Sequence, residues 1–164
     1  KDLTVNASLD GSQEVLLGRT HATGEGKFTF TNLAINKIGD YTLSFVFPNC
    51  PVLTVSLAVT IGPPVKLSVV TNANTCTGGT VFGTQPVVAL QDLGGNSVLG
   101  QTAVVVTVAV NQGGTLSGSK TVNFTAAGLA TFTNLAINEA KTAYQLNFVS
   151  STGLNVTGPA FDVA

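Results

Sequence analysis

An eight-residue segment, TFTNLAIN, occurs twice in the chain and restricts the fold more than any other feature of the sequence. The copies are residues 29–36 and 131–138, which gives a period of 102 residues. Each copy is followed by an alternating apolar stretch, YTLSF at residues 41–45 and YQLNF at residues 144–148. Two similar segments with the same continuation indicate a duplicated folding unit of about the length of one β-sandwich domain.

Period-two alternation of apolar and polar residues predicts β-strands throughout, and no segment has helical periodicity. In the first unit, Tyr41, Leu43, Phe45 and Phe47 share one strand face and predict one wall of a core. Further strands are expected at residues 28–33 and 52–61, and residues 21–27 are expected to form a loop. In the second unit, seven strands are predicted at residues 65–71, 86–90, 102–110, 121–124, 129–134, 143–149 and 154–163.

The prolyl pair at Pro63 and Pro64, preceded by Gly62, predicts a domain boundary. The expected domains are therefore residues 1–62 and residues 63–164, joined by a short, stiff linker that favours end-to-end packing. The predicted fold class is all-β, with two tandem antiparallel sandwiches.

The low charge of the chain argues against several classes of partner. Charged residues make up 9% of the sequence and the net charge is −1, with lysines and arginines scattered singly. No basic stripe is present for nucleic acid, and no apolar run approaches the length of about 18 residues that a membrane-spanning helix needs. We therefore expect neither nucleic-acid binding nor membrane insertion.

Motifs of the second unit resemble a known family. They are a D-x-x-G-N turn at residues 92–96, V-x-G-Q at 98–101 before a Val/Thr-rich strand, G-x-A-T-F at 128–132, and a Y-x-L strand from residue 144. In this pattern the unit resembles the bacterial immunoglobulin-like domains of invasin- and intimin-type surface proteins. The resemblance implies an immunoglobulin-like sandwich and a role as an extracellular or cell-surface spacer, with other copies or adjacent repeats as partners.

The first unit matches the second only from its third strand onward, so its first two strands are missing. Such a sandwich leaves unpaired backbone edges and an open core around Phe28, Phe30, Phe45 and Phe47. Three explanations remain open: an upstream segment, strands donated by a neighbouring copy, or a smaller five-stranded sandwich. The opening strand, with Leu3, Val5 and Ala7 on one face, is the expected assembly edge.

Two cysteines, Cys50 and Cys76, fit no metal-site spacing. In an extracellular setting we expect a disulfide between them or with a neighbouring copy. A collinear arrangement of the two units would place them too far apart for an intrachain bridge, which would then require a fold-back or a returning loop.

Other candidate sites are few. Asn6, Asn123 and Asn155 fit the N-glycosylation pattern and are candidate acceptors. His21 has no nucleophile motif near it and is interpreted as a solvated histidine. Asp92 suits a tight turn better than calcium binding, because only one carboxylate is present there. The sequence therefore predicts no catalytic residue, metal or cofactor.

These observations favour a structural building block of an extracellular filament, sheath or adhesin stalk that assembles through β-strand complementation. The alternative is a glycan- or receptor-binding adhesin module that uses the long irregular segment at residues 72–85. The sequence offers no aromatic platform for sugars there, since it has no Trp and only two Tyr residues.

Overall fold

A computed structural model describes residues 3–10 and 16–164 of the chain. Its regular structure is entirely β, and the strands pair antiparallel. The chain divides into two compact units, Lys1–Ile61 with Gly94–Asn96, and Gly62–Leu93 with Ser97–Ala164.

The second unit contains eleven strands, of which seven form two larger sheets. One sheet has the order β10-β6-β5 and the other β14-β13-β7-β9, while β8 pairs with β11 and β12 with β15. The strands are β5 (Lys66–Thr71), β6 (Val87–Gln91), β7 (Val105–Val110), β8 (Leu116–Ser117), β9 (Thr121–Asn123), β10 (Leu129–Thr131), β11 (Ala136–Ile137), β12 (Lys141–Tyr144), β13 (Leu146–Ser150), β14 (Asn155–Thr157) and β15 (Phe161–Val163).

A continuous apolar core fills the second unit. Each of the two larger sheets contributes alternate side chains to it, as a sandwich requires. Aromatic rings dominate the core because each removes a large apolar area from water. Its fully buried members include Val88, Leu90, Val106, Val108, Phe124, Phe132, Leu135, Ile137, Tyr144, Leu146 and Phe148.

The first unit contains one four-stranded sheet. Its strands are β1 (Leu3–Asp10), β2 (His21–Gly24), β3 (Gly39–Val46) and β4 (Leu53–Val59), in the order β2-β1-β3-β4. This is the order of β9-β7-β13-β14 in the second unit, and the registers agree: Ala7 lies opposite Phe45 as Val108 lies opposite Phe148. The described residues contain no counterpart of the β10-β6-β5 sheet.

The fold class predicted from the sequence is therefore confirmed. The second unit has the two-sheet antiparallel arrangement of an immunoglobulin-like sandwich, and the first has only one of its two sheets. The segment equivalent to β5 and β6 is the part that the first unit lacks.

The duplicated segment also repeats a close backbone contact. Asn32 and Asn134, the asparagines of the two TFTN copies, both have positive φ, at 59° and 56°. Gly18 and Gly118 face them, and a Cβ on either glycine would lie 1.9 or 2.1 Å from the carbonyl oxygen of its asparagine. Only glycine fits these two positions, because their own φ values of 96° and 95° are also in the left-handed region.

Three expectations for the first unit were wrong. Residues 21–24 form β2 rather than a loop, and β1 is not an edge strand because it pairs with β2 on one side and β3 on the other. Ala7 is buried, and the side chains of Leu3 and Val5 lie outside the described residues. Residues 28–33, predicted as a strand, are irregular, and among the described residues no strand pairs with 28–30.

Candidate functional site

An open apolar groove of about 470 Å³ lies on the first unit. It is lined by Phe28, Phe30, Phe45, Phe47, Cys50, Pro51 and Leu53. The four phenylalanines are half-buried, and Leu53 is 63% exposed. These are the four phenylalanines around which the sequence predicts an open core, and that prediction is confirmed.

Strand alternation and one irregular segment bring the rings together. Phe45 projects from β3, and Phe47 follows two residues later on the same face. Phe28 and Phe30 come from the segment after β2. The ring of Phe30 contacts that of Phe45 with centroids 5.1 Å apart, and Phe28 meets Phe47 edge-on at 5.5 Å.

The second unit contains the same aromatic pair in a closed environment. Phe132 and Phe148 stand where Phe30 and Phe45 stand in the first unit, and their centroids are 5.4 Å apart. Their interplanar angle of 50° is close to the 52° of the first pair. Both are 0% exposed, because the β10-β6-β5 sheet contributes Val88 and Leu90 to the same core. The groove is therefore the space that this sheet occupies in a complete unit.

Backbone groups beside the groove have no partner among the described residues. In the second unit, β10 pairs with β6, and the Phe132 N–H donates to the Pro86 carbonyl at 3.1 Å. Phe28, Thr29 and Phe30 occupy the matching positions of the first unit. Within the part of the chain that the structure describes, no hydrogen bond reaches their backbone groups. An unpaired extended segment of this kind is a template for strand addition.

A second free edge lies along β4. In the second unit, Cys76 bridges Val163 of β15 in parallel, and the Ala164 N–H donates to the Cys76 carbonyl at 2.7 Å. No described residue pairs with the outer edge of β4, which ends its sheet. Leu53 and Val55 on β4 are exposed, because they lie opposite Phe45 and Leu43 on the uncovered face of the sheet.

A smaller apolar cleft of about 130 Å³ lies between β3, β4 and the first copy of TFTNLAIN, residues 29–36. Leu43 and Leu57 line it from the sheet, and Leu33 and Ile35 line it from the opposite side. Leu43 and Phe45 share one face of β3, so the cleft and the groove both belong to the uncovered face of this sheet.

The expected disulfide between Cys50 and Cys76 is not formed. Both cysteines are free, and Cys50 is exposed while Cys76 is half-buried. Burial raises the pKa of the Cys76 thiol. Cys50 lies in the turn between β3 and β4 and lines the groove. A bridge to a neighbouring copy stays a prediction for Cys50.

The candidate chemical residues occupy structural positions. His21 is exposed and lies opposite Asn6 in the pairing of β2 with β1. The buried Asp92 carboxylate accepts the Gly62 N–H at 3.0 Å, which fits the turn interpretation. Among the described residues, no group of three His, Cys, Asp or Glu side chains could hold a metal ion.

The long irregular segment at residues 72–85 is attached to the second unit at several points. The Phe82 N–H donates to the Leu135 carbonyl at 2.9 Å, and the Leu135 N–H donates to the Gln85 side chain at 3.0 Å. Ala73 and Phe82 are buried. These contacts attach to the second unit the segment that the alternative, a binding module, would use.

The three candidate glycosylation asparagines, Asn6, Asn123 and Asn155, are all exposed. The Asn123 side-chain amide donates to the Thr102 carbonyl at 3.0 Å, and a glycan there would replace one of the two hydrogens of that amide. Glycosylation at the three positions stays a prediction. In the described part of the chain, no helix is long and apolar enough to span a bilayer.

Comparison with known proteins gives structural matches only. No family model matches the sequence, and no curated protein matches it either. The chain is similar to part of a β-glycosidase from Bacteroides vulgatus, with a TM-score of 0.53 and 13% identity over 98% of this chain. It spans 21% of that glycosidase chain. At this identity the likeness concerns the fold alone.

Two further matched structures are pairs of intimin domains. The D00-D0 pair has a TM-score of 0.48 and 11% identity, and the match covers 98% of this chain and 78% of that one. The D0-D1 pair has a TM-score of 0.42 and 16% identity, and it covers 98% and 80%.

Proposed function

We propose that this chain is a structural module of an extracellular or cell-surface protein, such as a filament, sheath or adhesin stalk. In this proposal the first unit is an acceptor that another copy, or an adjacent repeat of a longer chain, completes with β-strand. The proposal assigns the chain no catalytic step. End-to-end packing of neighbouring domains, expected from Pro63 and Pro64, belongs to the same proposal.

One observation carries the proposal: the aromatic pair buried in the second unit is uncovered in the first, beside unpaired backbone. Exposed rings and an open strand edge favour association with another polypeptide over an isolated existence. The low charge of the chain, 9% of residues, adds little repulsion to such contacts.

Sedimentation velocity over a range of protein concentrations, combined with electron microscopy, tests the proposal. We expect species larger than the monomer that grow with concentration, and periodic rods or arrays in the images. The variant Leu53→Lys should shift the distribution towards monomer, because it places a charge at the groove. Val70→Lys is the matched control, since Val70 is a similarly exposed apolar residue of the second unit.

A chain that stays monomeric at every concentration and in the presence of its adjacent repeats would contradict the building-block role. The adhesin alternative makes a different prediction, namely retention on a glycan array by a dispersed monomer. The same preparation therefore separates the two candidate functions.

A further inference from the structure

We propose that the groove binds one extended strand from another polypeptide chain, antiparallel to residues 27–30, with a small side chain opposite Phe28. This inference rests on the proposed function and deepens it. It adds the direction, the register and the side-chain pattern of the strand that completes the first unit.

The second unit supplies the direction and register. There β10 pairs antiparallel with β6, with Ala130 opposite Val88. The period of the repeat places Phe28 at the position of Ala130. An incoming strand in the same register therefore sets one residue opposite Phe28, in the place that Val88 takes.

Backbone hydrogen bonding favours a peptide over other apolar occupants. In the second unit, the carbonyl of Pro86, two residues before Val88, accepts the Phe132 N–H at 3.1 Å. Its equivalent, the Phe30 N–H, lies beside the groove without a partner among the described residues. A lipid or another apolar small molecule would cover the rings and leave this donor unpaired, whereas a strand provides its acceptor.

The incoming strand needs apolar side chains at alternate positions. On β6, Val88 and Leu90 belong to the apolar cluster at the centre of the second unit, whereas Ala89 between them is buried but lies outside that cluster. Only every second side chain of a strand points to one face of its sheet. The strand that fills the groove therefore carries two inward apolar residues, at the positions of Val88 and Leu90.

At two positions the first unit has a larger residue than the second, and this limits the size of the incoming side chain at the position of Val88. Phe28 and Phe47 stand where the second unit has Ala130 and Ser150, and their rings meet edge-on at 5.5 Å. The two phenylalanine rings therefore take up space that Ala130 and Ser150, being smaller, leave to neighbouring side chains in the second unit. Since overpacking a core is unfavourable, alanine or glycine fits opposite Phe28 better than the valine that β6 has there.

Synthetic peptides added to the full chain test this inference. The first has the sequence of residues 85–92, and the second has the same sequence with Val88→Ala. We expect the alanine peptide to bind about tenfold more tightly, measured by calorimetric titration. In the protein variant Phe28→Ala the order should reverse or the difference should vanish, because the room opposite the peptide residue is restored.

The thiol of Cys50 reports where the peptide binds. Cys50 lines the groove and is exposed, so a bound strand should slow its modification, as identified by mass spectrometry of the cysteine peptides. Cys76 is the internal control and should keep its rate. A third peptide with Leu90→Asp should neither bind nor protect, and the protein variant Leu53→Lys should weaken binding while Val70→Lys should not.

Binding that leaves Cys50 unprotected, equal affinity of the first two peptides, or no binding at about 1 mM peptide would each overturn the inference. The inference would also fail if raising the protein concentration alone slowed the modification of Cys50 and no added peptide restored the rate. In that case the face of a second copy, and not a strand, would occupy the groove. If sedimentation shows assembly but any of these results is obtained, strand binding in the groove is refuted and the building-block role is still supported. A persistent monomer that still binds the alanine peptide would refute only the assembly.

Discussion

The two units of this chain have the same four-stranded sheet, yet one encloses a core and the other exposes it. The Phe132–Phe148 pair and the Phe30–Phe45 pair have nearly the same geometry. The first pair is 0% exposed and the second is half-exposed. Local sequence therefore sets how these rings meet, and residues distant in the chain decide whether water reaches them.

The difference extends to the backbone. Leu129–Thr131 is the strand β10, whereas residues 27–29 of the first unit are irregular. The identical segment TFTNLAIN begins at the last residue of each stretch, at Thr29 in the first unit and at Thr131 in the second. A strand exists only where another strand satisfies its N–H and C=O groups, so residues 27–29, which share only their last residue with β10, are irregular where the described residues provide no partner strand.

The largest expected difference between the units concerns the aromatic pairs. Phe148→Ala should lower the free energy of unfolding of the second unit by about 3 to 5 kcal/mol, because it leaves a cavity in a closed core. Phe45→Ala should cost the first unit about 1 to 2 kcal/mol, since its side chain is already partly hydrated. Urea unfolding followed by hydrogen exchange resolved by peptide measures each unit separately. Equal losses would mean that the groove is closed in solution.

The repeated glycine contact should behave alike in both units. Gly18→Ala and Gly118→Ala should each destabilise their unit by about 2 to 3 kcal/mol, because the new methyl group meets a carbonyl oxygen and φ is positive. Gly153→Ala is the control, with positive φ and open space, and should cost about 1 kcal/mol. The same exchange-detected unfolding applies. A loss in one unit alone would show that the motif is not duplicated in structure.

The cysteines should differ in reactivity by about tenfold near pH 8, with Cys50 faster. Burial raises the pKa of the Cys76 thiol, so less of it is thiolate at that pH. The difference between the alkylation rates of Cys50 and Cys76 should become smaller as the pH rises through the raised pKa of Cys76. Rates of alkylation at several pH values, read by mass spectrometry, check this. A faster Cys76 would contradict its placement in the structure.

The smallest expected effect concerns Tyr41 and Tyr144, which occupy equivalent positions of the repeat. The Tyr41 hydroxyl donates to the Lys37 carbonyl at 3.0 Å, so Tyr41→Phe should cost about 1 kcal/mol. The buried Tyr144 hydroxyl has no partner among the described residues, so Tyr144→Phe should be neutral or slightly stabilising. Unfolding of the two variants under identical conditions compares them. A larger loss for Tyr144→Phe would reveal a partner for that hydroxyl.

Much of this fold could be predicted from the sequence. Alternation of apolar and polar residues placed β3 and most strands of the second unit to within a few residues. Aligning the repeats also predicted the missing strands and the exposed phenylalanines. These predictions succeed because side-chain alternation and repeated segments are local signals.

Other features depend on contacts that the sequence does not state. Gly24 and Gly26 suggested a loop at residues 21–27, but β1 recruits residues 21–24 as a strand. The first residues of the chain suggested an edge, but β2 covers that side of β1. The free edge at residues 27–30 was missed because strand propensity does not reveal whether a partner strand is present.

Amide hydrogen exchange of the dilute full chain compares the two units most directly. We expect rapid exchange at Phe28 and Phe30, whose N–H groups have no acceptor in the described structure, and slow exchange at Ala130 and Phe132, which face β6. Equally slow exchange at both pairs of positions in a monomeric sample would contradict it, because the first unit would then be closed by its own residues.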